Sequence, residues 1–476
     1  MPAVRALPRT TTLLAALALA GCATLTAAPT DESAGVALPA SWSNASAARD
    51  AASLAAWWLR FDDPALTALI EQALAANTSV ASAQATLRRS RALARVQSAR
   101  LGPAVDASAA AQRSRSGSSP AGNSFRAGID ASWELDLFGA NRSANDAAEF
   151  DAQASAASLG DVQVSVAAEV AQAYITLRSA EQRLAIAQDN LASQQETLQI
   201  TQWRVQAGLA TSLEAEQARA AVEQTRAQLP VLQTTIAQSR HQLALLTGRT
   251  AAQLELNAGG ALPQPPADLA LAFPAETLRQ RPDVRAAELQ VSAAAQRVVQ
   301  ADAARYPSFG LSGSLGLSAL TLSGLSAGGA VASSLLASVS VPLFDGGAAK
   351  AQVSAQQAAL DQASASHRGA VLAALKEVED ALVALQGDRE RRARLRSAAE
   401  AADNAALLAR QRYASGLVDF QTVLETQRSQ LAAQDSVASS DADWASDHVR
   451  LYKALGGGWS PTAEPQPALP SQEQRP

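Results

Sequence analysis

Between residues 308 and 319 apolar and small polar side chains alternate. Phe309, Leu311, Leu315, Leu317 and Ala319 interleave with Ser308, Gly310, Ser312, Ser314, Gly316 and Ser318. Ala337, Val339, Val341 and Leu343 keep the same rule. Earlier in the chain Phe125, Ala127, Ile129, Ala131, Trp133, Leu135 and Leu137 alternate with Arg126, Gly128, Asp130, Ser132, Glu134 and Asp136. A period of two marks strands with one apolar and one polar face. Partner strands are expected near residues 104–115 and 331–344, across Ser- and Gly-rich loops such as 116–124. Two hairpins supply four strands, too few to close a barrel, and an open edge is not tolerated in lipid. A water-exposed antiparallel sheet is one reading of these strands. The other is self-assembly, since two, three or four copies give eight, twelve or sixteen strands, all closable.

The rest of the pattern is helical and unusually long. From Gly139 to Gly208 there is no Pro and one internal Gly, Gly160; from Gly347 to Gly416 there is again no Pro, with Gly369 and Gly387. At 1.5 Å per residue, roughly 70 residues span on the order of 100 Å, about three bilayer cores, so such helices must project away from a membrane. Val170, Leu177, Leu184, Leu191, Leu198 and Val205 recur every seven residues, with Ala173, Ala180 and Ala187 between them. That recurrence predicts a left-handed coiled-coil seam. The second long helix has a poorer seam, because Arg392 and Ala399 fall where leucines are expected. Shorter helices are predicted over residues 64–101, 211–247 (interrupted at Pro230), 282–305 and 419–455, the first capped by Asp62 or Asp63 ahead of Pro64. A purely fibrous coiled coil has no use for the flanking hairpins.

The chain is also internally duplicated. Pro103 matches Pro307, Leu137-Phe138 matches Leu343-Phe344, Glu169-Val170 matches Glu377-Val378 and Gly208-Leu209 matches Gly416-Leu417, at offsets drifting from 204 to 208. A period this long is a duplicated domain rather than a short-repeat solenoid. The expected organisation is a first repeat over 57–257 (hairpin about 103–138, long helix about 139–207), a Gly/Pro-rich linker over 258–274, and a second repeat over 275–459 (hairpin about 307–344, long helix about 346–415). Residues 460–476, rich in Pro and Gln, read as a disordered tail.

Composition narrows the chemistry. Among 476 residues, Lys+Arg 39 against Asp+Glu 44 leaves a net charge of −5, which gives no basic excess for nucleic acid. One Cys, one Met and three His exclude a disulfide framework and leave too few donors for a soft-metal or His-rich zinc centre. His241, His367 and His448 fall in separate helices without a nucleophile motif or phosphate loop, and read as ordinary polar helix positions. No catalytic constellation, cofactor site or metal site is predicted, and the chain does not read as an enzyme.

At the N-terminus, Arg5 and Arg9 precede an apolar run to Ala20 that meets Gly21-Cys22. A basic start, an apolar stretch too short to span a bilayer and small residues at its end make residues 1–21 a secretory signal. The sole cysteine, Cys22, stands where a lipoprotein signal leaves a thiol for acylation, and residues 22–56 would form a lipidated arm. By the same likeness, Ala23 points to the outer membrane. No other stretch is apolar enough for a transmembrane helix, so any crossing is by transmembrane β-strands.

Several stretches, in this order, carry a family resemblance: residues 57–66 (WWLRFDDPAL), 133–139 (WELDLFG), 281–288 (RPDVRAAE), Arg412-Tyr413 with Gly416, and residues 451–459 (LYKALGGGW). Together they resemble the TolC-like outer-membrane factors, specifically the lipoprotein, OprM-like branch. The resemblance implies a mainly α fold with a β-barrel part: a homotrimer whose twelve-stranded transmembrane barrel, four strands per chain, continues into a periplasmic helical barrel. It implies docking to a periplasmic adaptor (membrane fusion protein) and an inner-membrane pump, expected to be proton-driven, and passive exit of drugs or other small toxic compounds. An outer-membrane conduit for ABC-driven type I secretion and a non-channel lipoprotein scaffold are the alternatives. The resemblance also implies an inner end held shut at the helix turns near Gly208 and Gly416 by acidic rings and Tyr/Arg contacts. The candidates there are Tyr413, Asp419, Glu425 and Arg428, with Glu214 and Glu216 in the first repeat; Glu425 and Arg428 share a helix face.

Overall fold

The computed structural model describes Pro39, Trp42 and residues 54–459, apart from 116, 119, 258, 266–276, 279 and 327–329. The signal segment, Cys22, nearly all of the expected arm and the C-terminal tail lie outside the described residues.

A 3-10 segment, Leu54–Phe61, leads into α1 (Pro64–Ala76). The Asp63 side chain starts this helix, accepting from Ala65 N and Leu66 N at 2.9 and 3.0 Å. The single helix expected over 64–101 is two. Asn77 leaves the helical region (φ −67°, ψ 134°), and its Oδ1 then caps α2 (Thr78–Ala99), accepting from Ser79 N at 2.8 Å. Its Nδ2 donates to Leu246 O at 2.9 Å, so the break is tied to a distant helix end. The strands β1 (Ala104–Ser114) and β2 (Gly122–Leu135) follow, then the 67-residue α3 (Ala140–Gln206) and the 35-residue α4 (Ser212–Leu246). The helix α4 runs through Pro230 without interruption. The missing N–H frees a carbonyl one turn earlier, but that stretch is exposed, so the carbonyl is open to solvent.

The second repeat follows the first from its 22-residue helix onward and adds a short helix inside its hairpin: α5 (Pro282–Ala303), β3 (Ser308–Ala319), the five-residue α6 (Leu322–Ser326), β4 (Ala330–Ser340), α7 (Ala348–Ala414) and α8 (Phe420–Ala454). The strand β4 stops short of the expected Phe344, just before Pro342. The lengths repeat, with 22 residues in α2 and α5, 67 in α3 and α7, and 35 in α4 and α8. At 1.5 Å per residue α3 and α7 are each about 100 Å long. They reverse at Gly208 and Gly416, both at φ 73°, a left-handed conformation that closes the helix end and favours glycine.

The largest core lies partway along α3. There Trp57 stacks on Tyr452 at 5.4 Å between ring centroids, with Trp58 and Phe61 edge-on to Trp57. Leu66, Ile70, Val170, Tyr174, Leu177, Leu243, Leu451 and Leu455 close around them. Gly457 has no room for a side chain, since a Cβ would lie 2.9 Å from the Trp57 ring. Gly458 N donates to Leu54 O at 2.9 Å, so the 3-10 segment is joined to the residues that follow α8. Val170, Leu177, Ala180 and Ala187 of the predicted seam are buried. In α7 the out-of-pattern Arg392 instead reaches Asp441 of α8 at 2.7 Å and lies over the Trp444 ring, a polar substitute for a leucine contact.

Candidate functional site

All four strands form one antiparallel sheet in the order β1-β2-β3-β4. Ala131 of β2 pairs with Val105 of β1 and with Gly313 of β3, and Phe309 of β3 pairs with Val339 of β4. Odd-numbered residues therefore share one face across the sheet. That face carries Val105, Phe125, Ile129, Trp133, Leu311, Leu315, Leu317, Leu335 and Val339. The even-numbered face carries Asp106, Ser108, Arg126, Asp130, Ser132, Glu134, Ser312, Ser314, Ser334 and Ser338, with Leu336 as an exception. Ser108 Oγ donates to Asp130 Oδ2 at 2.9 Å, and the Ser314 and Ser334 hydroxyls meet at 2.8 Å, so polar side chains link neighbouring strands on that face. Among the described residues neither β1 nor β4 has a partner on its outer edge, and β1 is exposed along its whole length.

Aromatic and apolar side chains collect where strands turn into helices. Phe138 stacks on Tyr306 at 4.9 Å, and Trp133 Nε1 donates to Leu101 O at 3.0 Å. Leu343 and Phe344 are 93% and 92% exposed, covered by none of the described residues.

At the opposite end, the α3–α4 and α7–α8 turns pack on a small core of Ala218, Ala221, Ala409, Tyr413, Phe420, Val423 and Leu424. Leu209, Leu213 and Leu417 stay exposed at the turns. Tyr413 is buried against Phe420, and the Arg204 guanidinium carbon lies 4.4 Å from the Tyr413 ring centroid, with Nη1 donating to Tyr413 O at 3.2 Å. The Tyr413 hydroxyl is buried with no hydrogen-bond partner among the described residues. Arg204, a cation holding Tyr413 from the other repeat, has no signal in the sequence, because its partner is about 200 residues away.

The other candidates at this end separate by role. Asp419 caps α8, accepting from Thr422 N at 2.9 Å and from Thr422 Oγ1 at 2.5 Å; these hydrogen bonds, the hydroxyl's first, hold its carboxyl below the usual range. Glu214 closes a capping box with Thr211 and Glu216 lies 3.8 Å from Arg219, so both are occupied on their own helix. Glu425 and Arg428 are exposed and form no ion pair with each other among the described residues.

The RPD motif is a structural clasp. Buried Arg281 clamps Asp283 with Nε and Nη2 at 3.0 and 2.7 Å, while Nη1 donates to Glu377 Oε2 and to Ala454 O, both at 2.8 Å. One side chain thereby ties the start of α5 to α7 and to the end of α8. Arg178 does the same for the connection between repeats, donating to Glu181 Oε2 at 2.7 Å and to Asn257 O at 2.8 Å.

The histidines do not converge. His241 is exposed and His367 half-buried. His448, expected to be an ordinary polar position, is fully buried on α8, 1% exposed, with Nδ1 2.8 Å from Trp444 O. Burial lowers its pKa and favours the neutral ring. Among the described residues no group of three His, Cys, Asp or Glu could hold a metal ion, and no helix is long and apolar enough to cross a membrane.

The family model described as "Outer membrane efflux protein" matches the chain twice, over residues 69–249 and 273–457. Outer membrane protein OprJ of Pseudomonas aeruginosa is 34% identical over 458 residues, covering 94% of this chain and 95% of that protein. The toluene efflux pump outer membrane protein TtgF of Pseudomonas putida is 32% identical over 413 residues, 85% of each chain. Among solved structures, the outer-membrane channel OprN superposes with a TM-score of 0.83 at 35% identity, over 87% of this chain and 94% of that one.

Proposed function

The chain belongs to the outer membrane efflux protein family, the outer-membrane channels of tripartite efflux systems, and from that premise we propose that three copies close one twelve-stranded barrel and form a passive exit duct. The observation that carries this reading is a four-stranded sheet with an apolar face, a polar face and two unpaired edges. In hydrocarbon each unpaired backbone group costs several kcal/mol, and closure with sister copies removes every edge. With the apolar face toward lipid, the serines, Asp106, Asp130 and Glu134 line water. Leu137, Phe138, Leu343, Phe344 and Tyr306 then form a girdle at one membrane boundary, from which α3 and α7 descend about 100 Å into the periplasm.

The periplasmic entrance is the double turn around Leu209 and Leu417. It meets a periplasmic adaptor and, through it, a proton-driven inner-membrane pump that supplies the energy and selects the cargo. Tyr413 held by Arg204 keeps this end closed in each copy. Exposed Glu425 and Arg428, three of each around the axis, meet across copies, and docking exchanges those contacts for contacts with the adaptor. Acylation of Cys22 adds a second attachment to the same leaflet. The exported class is drugs or other small toxic compounds; toluene efflux by the relative TtgF supports it.

The mass of the detergent-solubilised protein, by light scattering with detergent correction, tests the assembly. Three chains per particle are expected, and a stable monomer rejects the duct.

A further inference from the structure

The seam between copies has a register that the fold itself specifies. The first and second strands of each hairpin are related by different offsets. The hairpins begin at Ala104 and Ser308, an offset of 204 (308 − 104), shared by the helices before them, which start at Thr78 and Pro282. Ala104 pairs with Ser132, and Ser308 pairs with Ser340, so the return strands β2 and β4 are offset by 208 (340 − 132). The long helices after them keep that value, starting at Ala140 and Ala348. The Leu-Phe likeness of the two halves gives 206 and is misleading here. Two extra residues, Asp345 and Gly346, separate Phe344 from the helix start, so Leu343 occupies the place of Leu135.

Within one chain the return strand of the first hairpin, β2, pairs with the leading strand of the second, β3. Ser132 lies opposite Ser312, Ala131 opposite Gly313, Trp133 opposite Leu311 and Leu135 opposite Phe309. Among the described residues the return strand of the second hairpin, β4, has no such neighbour, and neither does β1 on its outer edge. Resting on the closed-barrel reading above, we propose that β4 pairs with β1 of a second copy in the register that repeats the β2–β3 seam. Ser340 then lies opposite Ser108 of the next copy, Val339 opposite Ala109, Val341 opposite Ala107, and Leu343 opposite Val105.

Three features of the chain agree with this register. It keeps odd residues with odd, so the apolar face runs unbroken from copy to copy; a slip by one residue would bring Ser340 onto that face. It covers Leu343, 93% exposed, with Val105, 64% exposed, the same apolar pairing that Leu135 and Phe309 make inside the chain. It also brings serine against serine on the polar face, at 340 and 108, as at 132 and 312.

Paired cysteines read the register directly, because directly opposed residues can form a disulfide while partners displaced by two lie about 7–8 Å apart. One pair is placed on each face, so that both classes of antiparallel pairing are sampled. Full-length trimers carrying S340C with S108C, or V339C with A109C, are oxidised with copper phenanthroline and run on denaturing gels without reductant. Covalent dimers and trimers are expected from both pairs, with at least tenfold less from S340C with D106C, from S340C with A110C, and from each single variant. Trimers that link faster through D106C or A110C, or that link through none of the pairs, overturn the register while leaving the trimer standing. Particles that are monomeric before oxidation overturn both readings.

Discussion

At the scale of single residues, the periplasmic end rests on Tyr413. Its ring is packed on Phe420 and covered by Arg204, whereas its hydroxyl is buried without a partner among the described residues. Tyr413→Phe is therefore expected to leave channel behaviour within twofold of the parent, since the contact is made by the ring and the backbone carbonyl. Tyr413→Ala removes the ring and the cation–π contact, worth about 0.5–2 kcal/mol, and is expected to lengthen single-channel open time; so is Glu425→Ala combined with Arg428→Ala. A second residue-level consequence concerns Asp388. Burial, and then the neighbouring carboxylates of Asp447 and Asp443 against the partial relief from Arg391, raise its pKa to about 6. Between the ordinary carboxylate range and about pH 6 the folded chain holds a proton that the unfolded chain has lost. Stability therefore falls as pH rises through that window. Asp388→Asn is expected to flatten the window and to raise the melting temperature at pH 7, by thermal unfolding in detergent at pH 4.5, 6 and 7.5. An unchanged pH profile would place the proton elsewhere.

At the scale of elements, the stops matter as much as the runs. Asn77 ends one helix, caps the next and donates from Nδ2 to Leu246 O. Replacing it with Ala should cost about 1–3 kcal/mol, read as a lower midpoint in denaturant, because a cap and a buried hydrogen bond are lost together. Both hairpins and both long helices are legible in the sequence, since each rests on a local period and on the absence of Pro and Gly. The departures come from longer-range causes. Asn77 interrupts 64–101 because its side chain satisfies three backbone groups at once, and a pattern of apolar positions does not register that. Pro230 leaves α4 intact because the carbonyl it frees is on an exposed stretch. His448 is buried edge-on against the Trp444 ring one turn earlier, and Arg392 occupies a seam position because Asp441 and Trp444 receive it. Of the candidates at the tip, Tyr413 is where the turn motif suggests, whereas Asp419 and Glu214 spend their carboxylates on capping their own helices.

At the scale of the whole molecule, one polypeptide contains two of everything: hairpin, long helix, returning helix and connecting turn. The duplicated halves meet along β2 and β3 and along α3, and the same surfaces remain uncovered at the two outer edges of the sheet. On the proposed assembly a chain built this way is completed only as part of a ring, where the useful feature is the enclosed water. Single-channel recording from purified trimers in a planar lipid bilayer tests that claim most directly. Discrete current steps of uniform size are expected, longer-lived in Tyr413→Ala than in the parent. Bilayers that incorporate the protein yet stay electrically silent with both would contradict an aqueous duct.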